Sequence, residues 1–307
     1  MIDLLIIGTN GQVGSALKQL APKKYKIATT TRNGTPEDYS LDLSIRDQIS
    51  DLLKKLKPRV IINAAAYTAV DRAEEEKENA YMINADAVQT LAEVSSEIGS
   101  IFVHYSTDYV FDGDTRTCWE ETDPTSPVNS YGSSKLAGET KIKASGCKYL
   151  VLRTSWVYSH TGNNFVKTML RLGLERDELR IVADQTGRPT SAKEIAQVTY
   201  RIIETCLTNP KVLNQVYHLA SNVEKSWFDF GKDIFHEAQK YNSKYAKIKV
   251  EAIGSEQYPT PARRPKYSTL STKKIESVLK SNFEIDYEGH LSECILKIVS
   301  TDHKTPS

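Results

Sequence analysis

The chain has 307 residues, and its 40 lysines and arginines nearly balance 39 aspartates and glutamates, for a net charge of +1. That length allows one large or two modest domains around a sizeable core, and the balanced charge gives no reason to expect nucleic acid or an anionic membrane as a partner. No apolar run approaches the roughly 18 residues of a membrane span, and the four cysteines form no cluster that would hold zinc. We therefore expect a cytoplasmic, reduced protein with no metal, no nucleic-acid partner and no membrane partner.

Short apolar runs alternate with helical patterns in the first half of the chain. The pattern predicts strands at 4–8, 26–31, 59–66, 100–108 and 148–158, and helices at 13–20, 45–57, 78–98 and 131–144. The first strand follows no basic leader and no cleavage site, so it does not resemble a signal peptide. Strands that alternate with helices are joined by right-handed crossovers, which predicts a parallel sheet covered on both faces.

The alternation of strand and helix patterns becomes less regular after Tyr158. Helices are predicted at 163–176, 192–207, 227–241 and 287–300, and short strands at 179–184 and 215–221. We predict an α/β fold in which a Rossmann-like, doubly wound domain spans 1–158 and is rejoined by about 192–221. A smaller C-terminal α+β domain that binds substrate would take 159–191 and 222–307.

A glycine-rich turn follows the first strand and opens the first helix. Its spacing, G-x-x-G-x-x-G from Gly8 to Gly14, permits a tight turn and close approach to a pyrophosphate at the helix N-terminus. The spacing favours the pattern of short-chain dehydrogenases/reductases over the ordinary Rossmann fingerprint, and the alternative is a turn without a ligand. The candidate cofactor-binding residues here are Gly8, Asn10, Gly11, Gln12 and Val13.

Arg32 stands after the second strand, where a fold that binds NAD usually places an acidic residue. An arginine can accept the 2′-phosphate, so NADPH is favoured and NADH stays possible; the alternative is a solvated arginine. Asp42 and Leu43 are predicted to flank the adenine. Ala64, Ala65 and Ala66 are small enough to let the backbone approach the cofactor.

Polar residues end the buried strand at 100–108. Thr107 lies at its carboxyl end, where ligands bind in open α/β sheets, and its hydroxyl could hold a carbonyl oxygen. Tyr131 and Lys135 follow four residues apart at the start of a helix, so they share one helix face. His104, inside the strand, is predicted to be a satisfied buried histidine rather than a base.

Longer motifs then resemble one family. GQVG, NAAAYTAVDRAE, YSTDYVFDG, ETDPTSPVNSYGSSKLAGE, RTSWVY, GNNFVKTMLRL, DQTGRPT and YPTPARRP occur in order over almost the whole chain and resemble the dTDP-4-dehydrorhamnose reductase family, within the extended short-chain dehydrogenases/reductases. The resemblance implies a catalytic triad of Thr107, Tyr131 and Lys135, the last two also contacting the cofactor. It implies a helix asparagine, Asn84, and substrate-binding residues Thr68, Val70, Tyr109, Trp156 and Arg263, with Arg264 as the other candidate in its pair.

The implied activity is the NADPH-dependent reduction of a dTDP-4-dehydro-6-deoxy-L-sugar to dTDP-L-rhamnose. Tyr131 would donate the proton, Thr107 would orient the carbonyl, and Lys135 would lower the tyrosine pKa from about 10 by about 3 units. The alternatives are another nucleotide-sugar 4-ketoreductase or epimerase, and a non-catalytic regulatory subunit like the methionine adenosyltransferase β subunit.

The resemblance also bears on assembly. Some members of the family dimerise around Mg²⁺ held by glutamates of both subunits, and the matching positions here are Ala16, Lys193 and Lys297. Alanine offers no ligand and ammonium groups repel the ion, which needs oxygen ligands. We therefore expect a monomer, or a dimer that Mg²⁺ does not bridge.

Overall fold

The computed structural model describes residues 2–280 and 285–302, with side chains up to residue 300. In chain order, strands β1 to β13 are Leu4–Ile7, Ile27–Thr31, Tyr39–Ser40, Val60–Asn63, Ile101–Thr107, Lys148–Thr154, Val157–Tyr158, Glu178–Val182, Thr186–Gly187, Thr190–Ser191, Gln215–His218, Lys225–Ser226 and Lys249–Ile253. Helices α1 to α10 are Gln12–Leu20, Arg46–Leu56, Lys77–Tyr81, Ala87–Ile98, Ser130–Ala144, Phe165–Glu175, Ala192–Thr208, Trp227–Ala238, Lys273–Leu279 and Tyr287–Asp302.

Seven parallel strands form the central sheet, in the order β11-β6-β5-β4-β1-β2-β3. The order reverses between β1 and β4, because the chain crosses over to the other half of the sheet after β3. In open α/β sheets such a reversal leaves a crevice at the carboxyl ends of the strands, where ligands bind.

Each face of the sheet packs against its own helices. On one face, side chains of α1 and α7 such as Leu17 and Ile202 cover Leu4 and Ile62. On the other, α2, α4 and α5 supply a second cluster of buried residues, for example Leu53, Leu91 and Ile142. The predicted doubly wound α/β fold is confirmed, and the strands buried on both faces explain the near-continuous apolar runs.

The long helix predicted at 78–98 is interrupted. Between α3 and α4 the segment Met82–Asp86 is a π-helical turn, an irregularity that often marks a functional position in a helix. Residue composition did not signal it, because the turn inserts without any proline or glycine.

A smaller body packs beside the sheet. Strand β8 pairs in parallel with β13, and α6, α8 and α10 share a separate core that includes Phe230 and Ile295. Because β11 and α7 belong to the sheet layer, we propose the division predicted above, with 159–191 and 222–307 as the smaller unit. Helix α9 belongs to this part of the chain but packs against the sheet, since Ile275 and Leu279 lie in the core of the sheet. Residues 281–284 and 303–307 lie outside the described residues.

Across residues 2–280 and 285–302, every helix is too short or too polar to cross a membrane.

Candidate active site

The glycine turn brings α1 very close to the carboxyl end of β1. Gly8 adopts φ +84°, and a Cβ there would lie 2.8 Å from the Cβ of Ala65. A Cβ at Gly14 would lie 2.1 Å from the Gly8 carbonyl oxygen. Larger side chains would therefore fill the space beside the first turn of α1, where backbone N–H groups can meet a pyrophosphate.

A cavity of about 220 Å³ continues from this turn along the carboxyl ends of β1, β2 and β4. It is lined by the predicted residues Gly8, Asn10, Arg32, Asp42, Leu43, Ala65 and Ala66. Gly11, Gln12, Val13 and Ala64 lie outside its wall. The Gln12 side chain instead accepts a hydrogen bond from Asn164 Nδ2 at 2.8 Å and so ties the turn to the segment before α6.

Arg32 is exposed at the mouth of this cavity and pairs with a carboxylate. Its Nε donates to Asp42 Oδ2 at 2.9 Å, and 72% of the Arg32 side chain is exposed. The pKa of Asp42 lies below its usual range. The main cause is the hydrogen bond from the backbone N–H of Ser44; the Ser44 hydroxyl and Arg32 add smaller effects, and burial opposes them. An anion bound by Arg32 must therefore compete with Asp42.

Thr107 ends β5 beside a buried carboxyl group. Its hydroxyl donates to Asp108 Oδ1 at 3.0 Å and accepts the Tyr109 N–H at 3.2 Å. Ser155 Oγ donates to the other oxygen of Asp108 at 2.9 Å. In this arrangement the Thr107 hydroxyl donates to Asp108 and also lies within reach of Tyr131, so it must rotate before it can donate to a ligand.

Helix α5 places Tyr131 next to this strand end. The helix begins after Asn129, whose side chain accepts the Gly132 N–H at 2.8 Å and serves as its N-cap. A Cβ at Gly132 would lie 2.1 Å from the Tyr109 carbonyl oxygen, so only glycine allows this close packing. The rings of Tyr109 and Tyr131 meet edge to face, with centroids 5.9 Å apart.

The ionisation of Tyr131 differs from the prediction. Burial raises its pKa to about 12, although hydrogen bonding by the Thr107 hydroxyl acts in the opposite direction. Lys135 does not lower it: the Lys135 amine donates to the Tyr105 carbonyl oxygen at 2.6 Å and lies 3.2 Å from His104 Nε2. The expected lowering by Lys135 was wrong for the unliganded protein, because the amine is engaged by β5.

Asn84 connects the π-helical turn to this helix. Its side chain donates to Ser134 Oγ at 3.0 Å and to the Tyr67 carbonyl oxygen at 3.0 Å, and it accepts the Tyr67 N–H at 2.9 Å. The helix asparagine implied by the resemblance therefore fixes the loop after β4 relative to α5, and the π turn delivers it there.

A larger cavity, of about 750 Å³, opens in the smaller unit. Its wall combines aromatic side chains with arginines, including Phe165, Trp227, Arg176, Arg180 and Arg264. Arg264 ion-pairs with Asp71 at 2.8 Å and interacts with Tyr109, which packs on Tyr131. This chain of contacts links the cavity to the tyrosine.

The other predicted substrate residues have varied positions. Trp156 breaks the predicted strand 148–158 into β6 and β7 with φ 45°, a left-handed backbone that is rare for a bulky residue and common at functional sites. Its ring stacks on Trp227 with centroids 3.4 Å apart. Thr68 is exposed and Val70 partly buried. Arg263 is exposed too, whereas Arg264 lines the large cavity.

Sequence reasoning gave no functional role to the side chains of Trp227, Asp108 and Asn63. Trp227 begins a helix far along the chain, and only the fold stacks it on Trp156. Asp108 was visible in the motif, but its burial to 2% exposure was not. His104 is buried and hydrogen-bonded as predicted, at 1% exposure.

Asp108 should make stability depend on pH. Burial raises its pKa to about 6, so its favourable contribution is present below the unfolded pKa of about 3.9 and is lost as the pH rises through about 6. We expect Asp108→Asn to gain about 2 kcal/mol relative to the parent protein between about pH 4.5 and about pH 7.5. Urea unfolding of both proteins at both pH values measures this; a difference that does not change with pH contradicts the assignment.

A glycine turn beside a strand-end hydroxyl and a Tyr-x-x-x-Lys helix face is the arrangement of one class of doubly wound proteins. The arrangement resembles that of the short-chain dehydrogenases/reductases.

Comparison with known proteins narrows this class. Residues 2–299 match the family model described as RmlD substrate binding domain. The dTDP-4-dehydrorhamnose reductase of Escherichia coli strain K12 is 43% identical over 276 residues, 90% of this chain and 91% of that protein. The enzyme of that name from Burkholderia thailandensis is 38% identical over 307 residues, 97% of this chain and 100% of that protein.

A solved structure agrees with these relatives. Bacillus anthracis dTDP-4-dehydrorhamnose reductase, in complex with NADP, is 36% identical and superposes with a TM-score of 0.85, covering 96% of this chain and 99% of that one. The chain belongs to the dTDP-4-dehydrorhamnose reductase family, as the motifs predicted, and is an oxidoreductase.

Proposed function

We propose that this protein reduces dTDP-4-dehydro-6-deoxy-L-sugar to dTDP-L-rhamnose with NADPH, and that Tyr131 donates the proton. The observation that carries the proposal is the contact of Tyr131 with groups on two sides. The strand-end Thr107 of the sheet lies on one side, and on the other Tyr109 and Arg264 lead to the large cavity. A reductase needs such a proton donor between a cofactor site and a substrate site.

The residues present fit a nicotinamide dinucleotide. The close approach at Gly8 and Gly14 would be filled by any Cβ, and the cavity beside it holds Arg32 at its mouth. When bound, NADPH supplies a hydride. The backbone N–H groups that open α1 would hold the pyrophosphate, and Arg32 would hold the 2′-phosphate.

The raised pKa of Tyr131 suits reduction. A phenol with a pKa of about 12 stays protonated at neutral pH, and an alkoxide on the sugar is far more basic than a phenolate. Proton transfer from Tyr131 to that oxygen is therefore downhill. Thr107 would turn its hydroxyl from Asp108 towards the same oxygen and stabilise the developing charge.

The large cavity suits a nucleoside diphosphate. Its volume of about 750 Å³ lies within the usual range for ligand pockets, about 300–1,000 Å³. Phe165 and Trp227 give the wall an aromatic surface for a base, and Arg176, Arg180 and Arg264 offer positive charge for a diphosphate.

The proposed activity is tested by following NADPH oxidation with a panel of nucleotide 4-keto sugars and identifying each product. We expect the dTDP-4-dehydro-6-deoxy-L-sugar to turn over fastest and to give dTDP-L-rhamnose. Faster turnover of a sugar on another nucleotide, or a C4 epimer as product, would replace the proposal with a sibling ketoreductase. No turnover at all would leave a regulatory role.

Arg32→Ala should raise the KM for NADPH about tenfold and leave the KM for NADH nearly unchanged, since only NADPH carries the 2′-phosphate. Steady-state kinetics with both cofactors measure this. The matched control is Arg46→Ala, another exposed arginine that pairs with a carboxylate, at 3.1 Å from Glu93, outside the cavity wall. Equal effects of Arg32→Ala on both cofactors would show that this arginine does not read the phosphate.

We also propose a monomer, or a dimer that Mg²⁺ does not bridge. Ala16, Lys193 and Lys297 line one small cavity, where Glu293 pairs with Lys193 and, at 2.8 Å, with Lys297. Among the described residues that line this cavity, the one carboxylate is already neutralised by two ammonium groups. Light scattering should give the same mass with Mg²⁺ and with EDTA; a dimer that dissociates on chelation contradicts this prediction.

A further inference from the structure

A buried chain of polar side chains lies behind Lys135. Asn63 at the end of β4, His104 within β5 and Lys135 on α5 are 1%, 1% and 2% exposed. Asn63 Nδ2 lies 3.2 Å from His104 Nδ1, and His104 Nε2 lies 3.2 Å from Lys135 Nζ. None of these groups can replace its partner with water unless the core opens. Each donor must therefore face an acceptor among its protein neighbours.

The orientation of the Asn63 amide is set by the backbone. Asn63 Oδ1 accepts the N–H of Ala65 at 3.1 Å, which leaves the Nδ2 group facing the histidine. Nδ2 carries only hydrogens to donate, so His104 Nδ1 must present its lone pair. Burial lowers the pKa of His104 well below its usual value, and the neutral ring then carries its one hydrogen on Nε2.

That Nε2–H points at Lys135. An ammonium group has three donors and no acceptor, whereas an uncharged amine has a lone pair. The amine can accept the His104 N–H while donating to the Tyr105 carbonyl oxygen at 2.6 Å. If Lys135 were an ammonium, His104 would have to accept at Nε2 and carry its hydrogen on Nδ1. That Nδ1–H would face the hydrogens of Asn63 Nδ2. Turning the Asn63 amide to avoid this would place its Nδ2 group against the Ala65 N–H.

The charged groups around Lys135 act in opposite directions on its proton. Glu139, one turn further along α5, favours the ammonium, but burial outweighs it and the pKa of Lys135 falls to about 8. Glu139 itself accepts hydrogen bonds from Nε and Nη2 of Arg153 on β6, at 2.9 and 2.8 Å. From β5 the only titratable group in contact with the amine, within the described residues, is His104.

We propose that His104 is a positioning residue: Asn63 fixes its Nε2–H tautomer, and that N–H faces Lys135 and makes its ammonium easier to deprotonate. The inference rests on the proposed function, in which Lys135 stands beside Tyr131. A lysine ammonium on the same helix face stabilises the phenolate left when Tyr131 gives up its proton, so loss of the lysine proton sets the alkaline limit of reduction.

The tautomer is measured directly by NMR of protein with ¹⁵N-labelled histidine, in which the His104 signals are identified by their loss in His104→Leu. We expect bare Nδ1 and protonated Nε2 in the parent protein, and the reverse in Asn63→Asp, whose carboxylate accepts from both neighbours. Protonated Nδ1 in the parent protein overturns the inference. This measurement needs no substrate, so it stands whether or not the proposed reaction is found.

A second measurement tests the effect on Lys135 through a double-mutant cycle. In the pH profile of kcat for reduction, Asn63→Asp should move the alkaline break upwards by about one pH unit, because Lys135 then keeps its proton longer. In the His104→Leu background, Asn63→Asp should move that break little. Equal shifts with and without His104 would mean that the new carboxylate acts on Lys135 directly, and would overturn the inference. If His104→Leu does not fold, replacing the other histidines one at a time identifies the His104 signals by elimination, and the NMR result on the parent and on Asn63→Asp decides.

Discussion

Tyr131→Phe should bind NADPH as the parent protein does and lose about 10²- to 10⁴-fold in kcat, the usual contribution of a general acid. The substitution removes one hydroxyl and keeps the ring that packs edge to face on Tyr109. Because the parent phenol is protonated at neutral pH, the loss should be nearly independent of pH from about 6 to about 8. Steady-state turnover with the cognate nucleotide sugar, together with a cofactor titration, measures both parts.

The matched control is Tyr105→Phe, which removes a buried phenol hydroxyl from the neighbouring strand. That hydroxyl bonds to Thr199 at 2.7 Å on the face of the sheet covered by α7. It should cost stability of about 1 kcal/mol and leave kcat within a few-fold. Near-normal turnover in Tyr131→Phe would reject Tyr131 as the acid, and an equal loss in both variants would show that the effect comes from packing.

Glu139→Gln should destabilise the protein by about 3–5 kcal/mol, the usual cost of breaking a buried ion pair by removing one partner. The Glu139 and Arg153 side chains are 0% and 3% exposed and meet through two parallel hydrogen bonds. Arg153 also lies over the Phe111 ring, 5.1 Å from its centroid. The amide keeps the shape but leaves a buried guanidinium without its counter-charge, and α5 loses its attachment to β6.

Urea unfolding gives the free energies, with Glu175→Gln as the control. Glu175 pairs with Arg171 on the surface of α6, at 2.8 Å with both side chains at least half exposed, and such pairs contribute less than about 1 kcal/mol. Similar losses in the two variants would contradict the buried pair as a major term in stability.

Local patterns determined most of the architecture. The apolar runs at β1, β4, β5 and β6 are buried on both faces, and the helices between them present one apolar side, so period and burial agree with the predicted elements. Strand β13 was not predicted because its side chains are mostly exposed, with only Ile253 buried. Helix α9 is only seven residues long and follows a proline-rich stretch, which hid it.

The site was predictable where it depends on neighbouring positions in the chain. Tyr131 and Lys135 share a helix face, and Thr107 lies at a strand end, and these follow from spacing and from sheet topology. Contacts between segments that are distant in the chain could not be predicted from the sequence. The engagement of Lys135 by His104 and Tyr105, which leaves the Tyr131 pKa high, depends on how α5 crosses β5.

The large cavity could not be predicted from the sequence for the same reason. Its aromatic and basic wall combines α6, α8, β8 and the loop before α9, which are separated by many residues. The proline-rich motif pointed to a pair of arginines, but only the fold turns Arg264 inwards and leaves Arg263 exposed.

The most direct test of the proposed reaction is the fate of a labelled hydride. Turnover of the dTDP-4-dehydro-6-deoxy-L-sugar with NADPH carrying deuterium at the transferable C4 position should place one deuterium on C4 of the sugar, and the product should be dTDP-L-rhamnose. In the same time, Tyr131→Phe should transfer almost none. NADPH oxidation without deuterium in the sugar, or deuterium at another carbon, would contradict reduction at this site.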